Sequence, residues 1–155
     1  MKRRVFLDTN IVIDYLAKRA PFAEEAKRIF LQSPRHTQLC ISSLSFTTIF
    51  YVLKKFYDRK SLMEMLEGLY SLAKVLPTDE IAIKRSIHSN FTDFEDSVQY
   101  HTALSGNADY IVTRNPKDFA RSELPVFTPP EFLQIPYWTE NNGNTMLNEP
   151  EPSIE

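Results

Sequence analysis

Glycine is scarce, three in 155 residues, which excludes collagen-like and Gly-rich low-complexity architectures. Cysteine occurs once, so no internal disulfide can form and disulfide-scaffolded classes are excluded. Inside the apolar stretch QLCIS, Cys40 reads as a small buried hydrophobe. No apolar run approaches the ~20 residues needed to span a bilayer. The basic MKRR start leads into a strand-like run ending at Asp8 rather than into a signal core with a cleavage site. No membrane association and a cytoplasmic location are therefore expected. Strong charge of one sign is also missing, since 18 Lys and Arg against 20 Asp and Glu leave −2. That balance exerts no global pull on a polyanion, and nucleic-acid contact would rest on local clusters such as Lys54, Lys55, Arg59 and Lys60. His36, His88 and His101 show no paired ligand spacing, which argues against zinc and for surface or structural roles. No serine or cysteine triad is legible.

What is present is alternation. Short β-type runs at 4–8, 38–42, 74–78, 109–113 and 125–128 are the strand candidates. Between them lie amphipathic helical patterns, marked by Phe22, Ala26, Ile29 and Phe30, by Phe46, Ile49, Phe50 and Leu53, and by Leu62, Met65, Leu66 and Leu69. Nearly continuous apolar strands alternating with one-faced helices require a parallel sheet covered on both sides. The expected fold is α/β, a three-layer α/β/α domain over residues 1–135 with a parallel central sheet of about five strands. Residues 136–155, dominated by Asn, Gly, Glu and Pro, lack periodicity and are expected to form a flexible C-terminal tail.

In such sheets ligands collect beyond the carboxyl ends of the strands. Asp8 follows the first strand, Ser42 and Ser43 close the second, and Thr113 closes the fourth ahead of Arg114, Asn115, Lys117 and Asp118. Asp93, Glu95 and Asp96 open the helix leading into the fourth strand, so one rim gathers several carboxylates. Such a cluster repels itself unless a cation shields it, and hard Mg²⁺ or Mn²⁺ prefer oxygen ligands. Metal-assisted phosphoryl chemistry is the natural reading.

FLDTNIVIDYL, DFEDSVQYHTA and ADYIVTRNPKDF, in that order along the alternating chain, resemble the PIN-domain nucleases over roughly residues 4 to 135. The short bacterial VapC-like toxin ribonucleases are the most similar in look. The resemblance implies a PIN-like fold and a Mg²⁺- or Mn²⁺-dependent site cleaving RNA phosphodiester bonds. It also implies an antitoxin partner and a homodimer, with the apolar helices at 46–56 and 62–73 available for both contacts. Carried over by position, Asp8, Asp96 and Asp118 match the acidic catalytic and metal-binding residues. Asn115 and Thr113 match the polar residues that flank the last acid, with Arg114 and Lys117 beside them to meet phosphate oxygens.

One departure stands out. The family usually carries a glutamate in the helix after the second strand, where ISSLSFTTIFYVL offers Thr48, with Ser45 and Thr47 as polar neighbours. A hydroxyl is a weaker, neutral ligand for a divalent cation. Asp93 or Glu95 would then supply the missing carboxylate as further metal ligands, or Thr48 would act through a water. Alternatively the chain is a catalytically weakened module for RNA or protein binding. Glu95 has a structural reading as well, because Thr92 and Glu95 have capping-box spacing. Asp8 at a helix start has a capping alternative. Asn10 either anchors the turn or orients Asp8, Asp14 reads as a solvated helix residue, and Asp109 as a turn residue. A haloacid-dehalogenase-type phosphatase would need an acid at position 10, where this chain has Asn10.

Overall fold

In the computed structural model, residues 2–32 and 36–135 are described, so the expected tail at 136–155 lies outside the described residues. Five strands form one sheet: β1 (Arg3–Leu7), β2 (Thr37–Ser42), β3 (Lys74–Leu76), β4 (Tyr110–Val112) and β5 (Val126–Phe127). Their order is β3-β2-β1-β4-β5, and every neighbouring pair is parallel. The five expected runs are the five observed strands: β1 and β2 each begin one residue earlier than expected, and β3, β4 and β5 are shorter. β3 stops at Leu76 because Pro77 has no N–H to continue the ladder.

The helices are α1 (Thr9–Leu16), α2 (Ala23–Phe30), α3 (Ser43–Leu53), α4 (Arg59–Leu72), α5 (Glu80–Ile87), α6 (Phe94–Ser105) and α7 (Pro129–Leu133). Side-chain caps start most of them. Ser42, Asp58, Asp79 and Asp93 accept from the N–H groups of Leu44, Ser61, Ala82 and Asp96, and Thr128 with Glu131 forms a capping box on α7. The cap of α6 is therefore Asp93 rather than the Thr92–Glu95 pair expected from spacing.

Alternation along the strands divides the core between two faces. Val5, Leu7, Leu39 and Ile41 pack with Ile11, Ile29, Ile49, Leu62 and Leu69 from α1 to α4. Phe6, Cys40 and Ile111 pack on the other side with Tyr100 and Ala103 of α6 and with Phe119. The result is the three-layer α/β/α arrangement, with Cys40 fully buried as expected. Burial pushes its thiol up to about 11. None of the described helices is long and apolar enough to cross a membrane.

Two polar details anchor the central strand. The Arg4 N–H donates to Asp109 Oδ2 at 2.8 Å, which gives Asp109 the structural role its position suggested. The Arg4 guanidinium donates to the Gly106 carbonyl at 2.6 Å. From β1 the chain builds outward through β2 to β3, then returns to place β4 on the other edge of β1. That reversal makes the carboxyl ends of β1 and β4 the switch point of the sheet, where a crevice opens for a ligand.

Candidate active site

Asp8 is the first residue past β1 at this switch point, and its N–H donates to the Val112 carbonyl of β4 at 3.0 Å. It holds the N-cap position of α1, yet its side chain makes no cap. Both carboxylate oxygens are engaged elsewhere. Thr113 Oγ1 donates to Oδ2 at 2.8 Å and Gln99 Nε2 donates to Oδ1 at 3.1 Å. Only 4% of Asp8 is exposed. Burial raises its pKa above the ordinary carboxylate value, and the bonds from Thr113 and Gln99 oppose that rise by favouring the ionised form.

Gln99 is the residue of this candidate site that sequence reasoning missed. Its Oε1 accepts from both the N–H and the Oγ1 of Thr9, at 3.0 and 3.1 Å, and Thr9 Oγ1 also bonds Ser45 Oγ at 2.7 Å. With Oε1 committed to two donors, the amide group of Gln99 must face Asp8. One side chain of α6 thereby links the end of β1, the start of α1 and the first turn of α3. The available signal was position: Gln99 lies three residues beyond Asp96, on the same face of the helix, inside the buried run SVQY. The side chains that orient Asp8 are those of Gln99 and Thr113, whereas Asn10 is exposed.

The carboxylates of α6 face the same rim. Asp96 is half-buried, and its carboxyl is pushed up to about 7 by burial first, then by the charges of Asp8, Asp93, Asp118 and Glu95. Glu95 is also raised, by burial and by Asp93 and Asp8. Asp93 caps α6, its Oδ1 accepting the Asp96 N–H at 3.0 Å. Asp118 is exposed on a 3₁₀ turn (Pro116–Phe119) that buried Phe119 pins to the core, and the Asn115 N–H donates to Thr113 Oγ1 at 3.1 Å. Asp96 thus lies within electrostatic reach of both Asp8 and Asp118. Among the described residues, no three His, Cys, Asp or Glu side chains stand close enough to hold a metal ion as they are.

Two sequence expectations change. Asp14 is not solvated: it is 0% exposed, paired with Arg114 Nε at 2.7 Å and Arg19 Nη2 at 2.9 Å. The Arg114 guanidinium also stacks 3.9 Å from the Phe22 ring centroid. Arg114 is therefore held inward, tying the loop after β4 to α1, which leaves exposed Lys117 as the cation beside Asp118. Thr48 Oγ1 donates to the Leu44 carbonyl of its own helix at 3.3 Å. Thr48 lines a pocket with Thr9, Ser45, Phe94, Glu95 and Gln99, opposite the first turn of α6.

A family model described as PIN domain matches residues 4–117, most of the described chain and all of this rim except Asp118. The chain belongs to the PIN-domain family. It is 29% identical over 139 residues to Ribonuclease VapC1 of Aquifex aeolicus (strain VF5), covering 84% of this chain and 94% of that protein. A toxin–antitoxin complex from Klebsiella pneumoniae contains a chain 26% identical, with a TM-score of 0.62, covering 81% of this chain and 97% of that one. DNA-bound VapBC from Salmonella typhimurium shares the fold at 22% identity, with a TM-score of 0.63 and coverage of 83% and 99%.

Gln99→Leu tests how this PIN domain holds its first aspartate. The substitution removes a donor from Asp8 and the acceptor of the Thr9 N–H, leaving buried groups unpaired at a cost of roughly 1–3 kcal/mol. The melting temperature should fall by several degrees, and Mn²⁺ affinity should drop by about 10–100-fold, as when a partner of a ligand is lost. A variant that melts lower but keeps the wild-type Mn²⁺ response would reduce Gln99 to packing.

Proposed function

We propose that this PIN domain is a divalent-metal-dependent endoribonuclease, the toxin of a toxin–antitoxin pair. Asp8, Asp96 and Asp118 hold Mg²⁺ or Mn²⁺, and Asn115 orients them. The observation that carries the reading is Asp96, whose carboxyl is raised to about 7 by burial and by neighbouring carboxylates that include Asp8 and Asp118. A rim of mutually repelling hard oxygen donors suits a divalent cation in charge and in donor type. When bound, the ion polarises a phosphate and lowers the pKa of an attacking water. The protein's own share is positional. Thr113 and Gln99 fix the direction of Asp8, Phe119 anchors the turn carrying Asp118, and Lys117 is free to meet a phosphate oxygen. The likeness to a protein named as a ribonuclease supports the substrate class.

The test is incubation of a mixed single-stranded RNA pool with the wild-type chain and Mn²⁺. Internal cleavage that stops on chelation is expected; an uncut pool at every metal concentration would sink the proposal. The second reading, a binding module with weakened catalysis, is favoured by Thr48, whose hydroxyl is already bonded to its own helix.

The proposed partners are RNA, an antitoxin and a second copy of the chain, in keeping with the toxin–antitoxin complex among its relatives. Tyr51 of α3, Phe56 just beyond it, and Met63, Tyr70 and Leu72 of α4 are large apolar residues left exposed for protein contacts. A homodimer is expected to scatter light as twice the 18.0 kDa chain at tens of micromolar; an 18.0 kDa value there would remove it.

A further inference from the structure

Beside Asp8 lies a pocket of about 230 Å³ between α3 and the first turns of α6. Leu44, Ile83 and Val98 give it a mostly apolar wall, Phe94 and Glu95 stand on the α6 side, and Gln99 joins the pocket to the rim that carries Asp8. Gln99 is the link that matters, since the same side chain that lines the pocket donates to Asp8 Oδ1 at 3.1 Å. Whatever fills the pocket therefore sits next to the group proposed to act on phosphate.

We propose that the pocket receives one base of a single-stranded RNA, the base next to the phosphate to be cleaved, with Phe94 stacking on it and Glu95 reading its edge. The inference rests on the RNA substrate proposed above, and assigns Glu95 to the base rather than to the metal.

Four observations support it. The volume falls below the roughly 300–1,000 Å³ of pockets for drug-sized ligands, and it suits a single ring system. A helix about 10 Å across is far too thick to enter. Phe94 is 55% exposed although it opens a helix whose next turns are buried. An exposed aromatic beside a mostly apolar pocket with a carboxylate in its lining is what RNA-binding proteins use to stack a splayed base. The Glu95 carboxylate has no hydrogen-bond partner among the described residues, and is an acceptor available to an incoming amine. Thr48 keeps the space open: a longer side chain at this position would occupy it.

The chemistry sets a preference. A carboxylate accepts from the exocyclic amine of cytosine or adenine, whereas uracil offers a single N–H between two carbonyls that a carboxylate repels. Bases bearing an amine should be favoured over uracil at this position.

The experiment measures fluorescence anisotropy of labelled rA5, rC5 and rU5 titrated with the full chain in Ca²⁺. Alongside it, Mn²⁺-dependent melting is recorded and the cut ends of a mixed RNA pool are sequenced. Wild type should bind rA5 and rC5 about tenfold more tightly than rU5, equivalent to about 1.4 kcal/mol. Phe94→Ala should weaken rA5 and rC5 by about tenfold. Glu95→Gln should erase the preference over rU5 while keeping the wild-type Mn²⁺ response. Equal binding of all three oligonucleotides by wild type would overturn the proposal, as would Phe94→Ala with undiminished affinity or a changed oligomeric mass. Glu95→Gln that loses the Mn²⁺ response would return Glu95 to the metal and overturn it equally. Cleavage of the pool with no base preference would sink the pocket and leave the nuclease standing. Base-selective binding without cleavage at any Mn²⁺ concentration would keep the pocket and sink the nuclease.

Discussion

Asp96→Asn should abolish the rise in melting temperature that Mn²⁺ gives the wild-type chain, and should raise the melting temperature of the metal-free protein at pH 8. Both effects have one cause. In the fold, Asp96 is crowded by burial and by Asp8, Asp93, Asp118 and Glu95, which lift its pKa from 3.8 to about 7. A carboxyl raised on folding favours the native state while protonated. Its contribution is fully present below pH 3.8 and is lost as pH rises through about 7. Above that the charged side chain opposes folding unless a cation shields it, and asparagine removes the opposition. The variant's advantage over metal-free wild type should therefore grow between pH 3.8 and about 7 and level off above that. Its helix cap survives, because Asp93 accepts the backbone N–H of residue 96.

For wild type at Mn²⁺ about 100-fold above the dissociation constant, linkage gives about 2.7 kcal/mol, or roughly 5–10 °C for a chain of this size. That gain should shrink as pH falls below 7, where protons compete with the ion for Asp96. An Asp96→Asn chain with the wild-type Mn²⁺ response would take Asp96 out of the site.

The second large effect is expected of Thr48→Glu. Position 48 faces the first turn of α6 across the pocket that holds Glu95 and Gln99. The substitution forfeits only a 3.3 Å bond to the helix's own Leu44 carbonyl, which competes with the helix rather than supporting it, and glutamate is the better helix former. The new carboxylate joins Asp8 and Asp96 at the rim. Metal affinity should rise about tenfold, worth about 1.4 kcal/mol, and cleavage at subsaturating Mn²⁺ should rise with it. Without metal the variant should melt below wild type, since the introduced carboxylate would add to the repulsion around Glu95 and Asp8. Asp8→Asn in the same background should cancel the gain. Because the longer side chain also fills the proposed base pocket, selectivity between rC5 and rU5 should weaken. A Mn²⁺ titration of cleavage in which Thr48→Glu matches or trails wild type would mean that the native carboxylates already suffice.

How much of this was legible follows the physics of each signal. The β-runs at 4–8, 38–42 and 109–113 read clearly because both faces of the sheet are covered and their central positions are apolar. The rim followed from them, since a parallel sheet sends Asp8 and Thr113 to the same edge, where they meet at 2.8 Å. α5 gave no stripe because it packs through Ala82 and Ser86, small residues without a hydrophobic period, while Ile81 and Ile87 stay exposed. Asp14 misled because its burial depends on two partners at once: Arg19, five residues on, and Arg114, 100 residues away. The cap of α6 was displaced by one residue because Thr92 and Asp93 are adjacent and both competent caps. Gln99 was passed over because a neutral amide in a helix carries no chemistry until the group it orients is known. The histidines held to structural expectation where the contacts are explicit, as with His101, whose Nδ1 lies 2.8 Å from the Ser97 carbonyl and 3.1 Å from Ser86 Oγ.

The central claim is that Asp8, Asp96 and Asp118 act together on an ion that cleaves RNA. The most direct measurement is the initial rate of cleavage of one labelled RNA at saturating Mn²⁺ by wild type and by the three single Asp→Asn chains, each first shown to melt cooperatively. The account predicts that each variant loses more than the about 10–100-fold typical of groups one step removed from the metal. Combining Asp8→Asn with Asp118→Asn should add little to the loss, as befits residues acting as a unit. A folded Asp8→Asn chain that cleaves at the wild-type rate would contradict it.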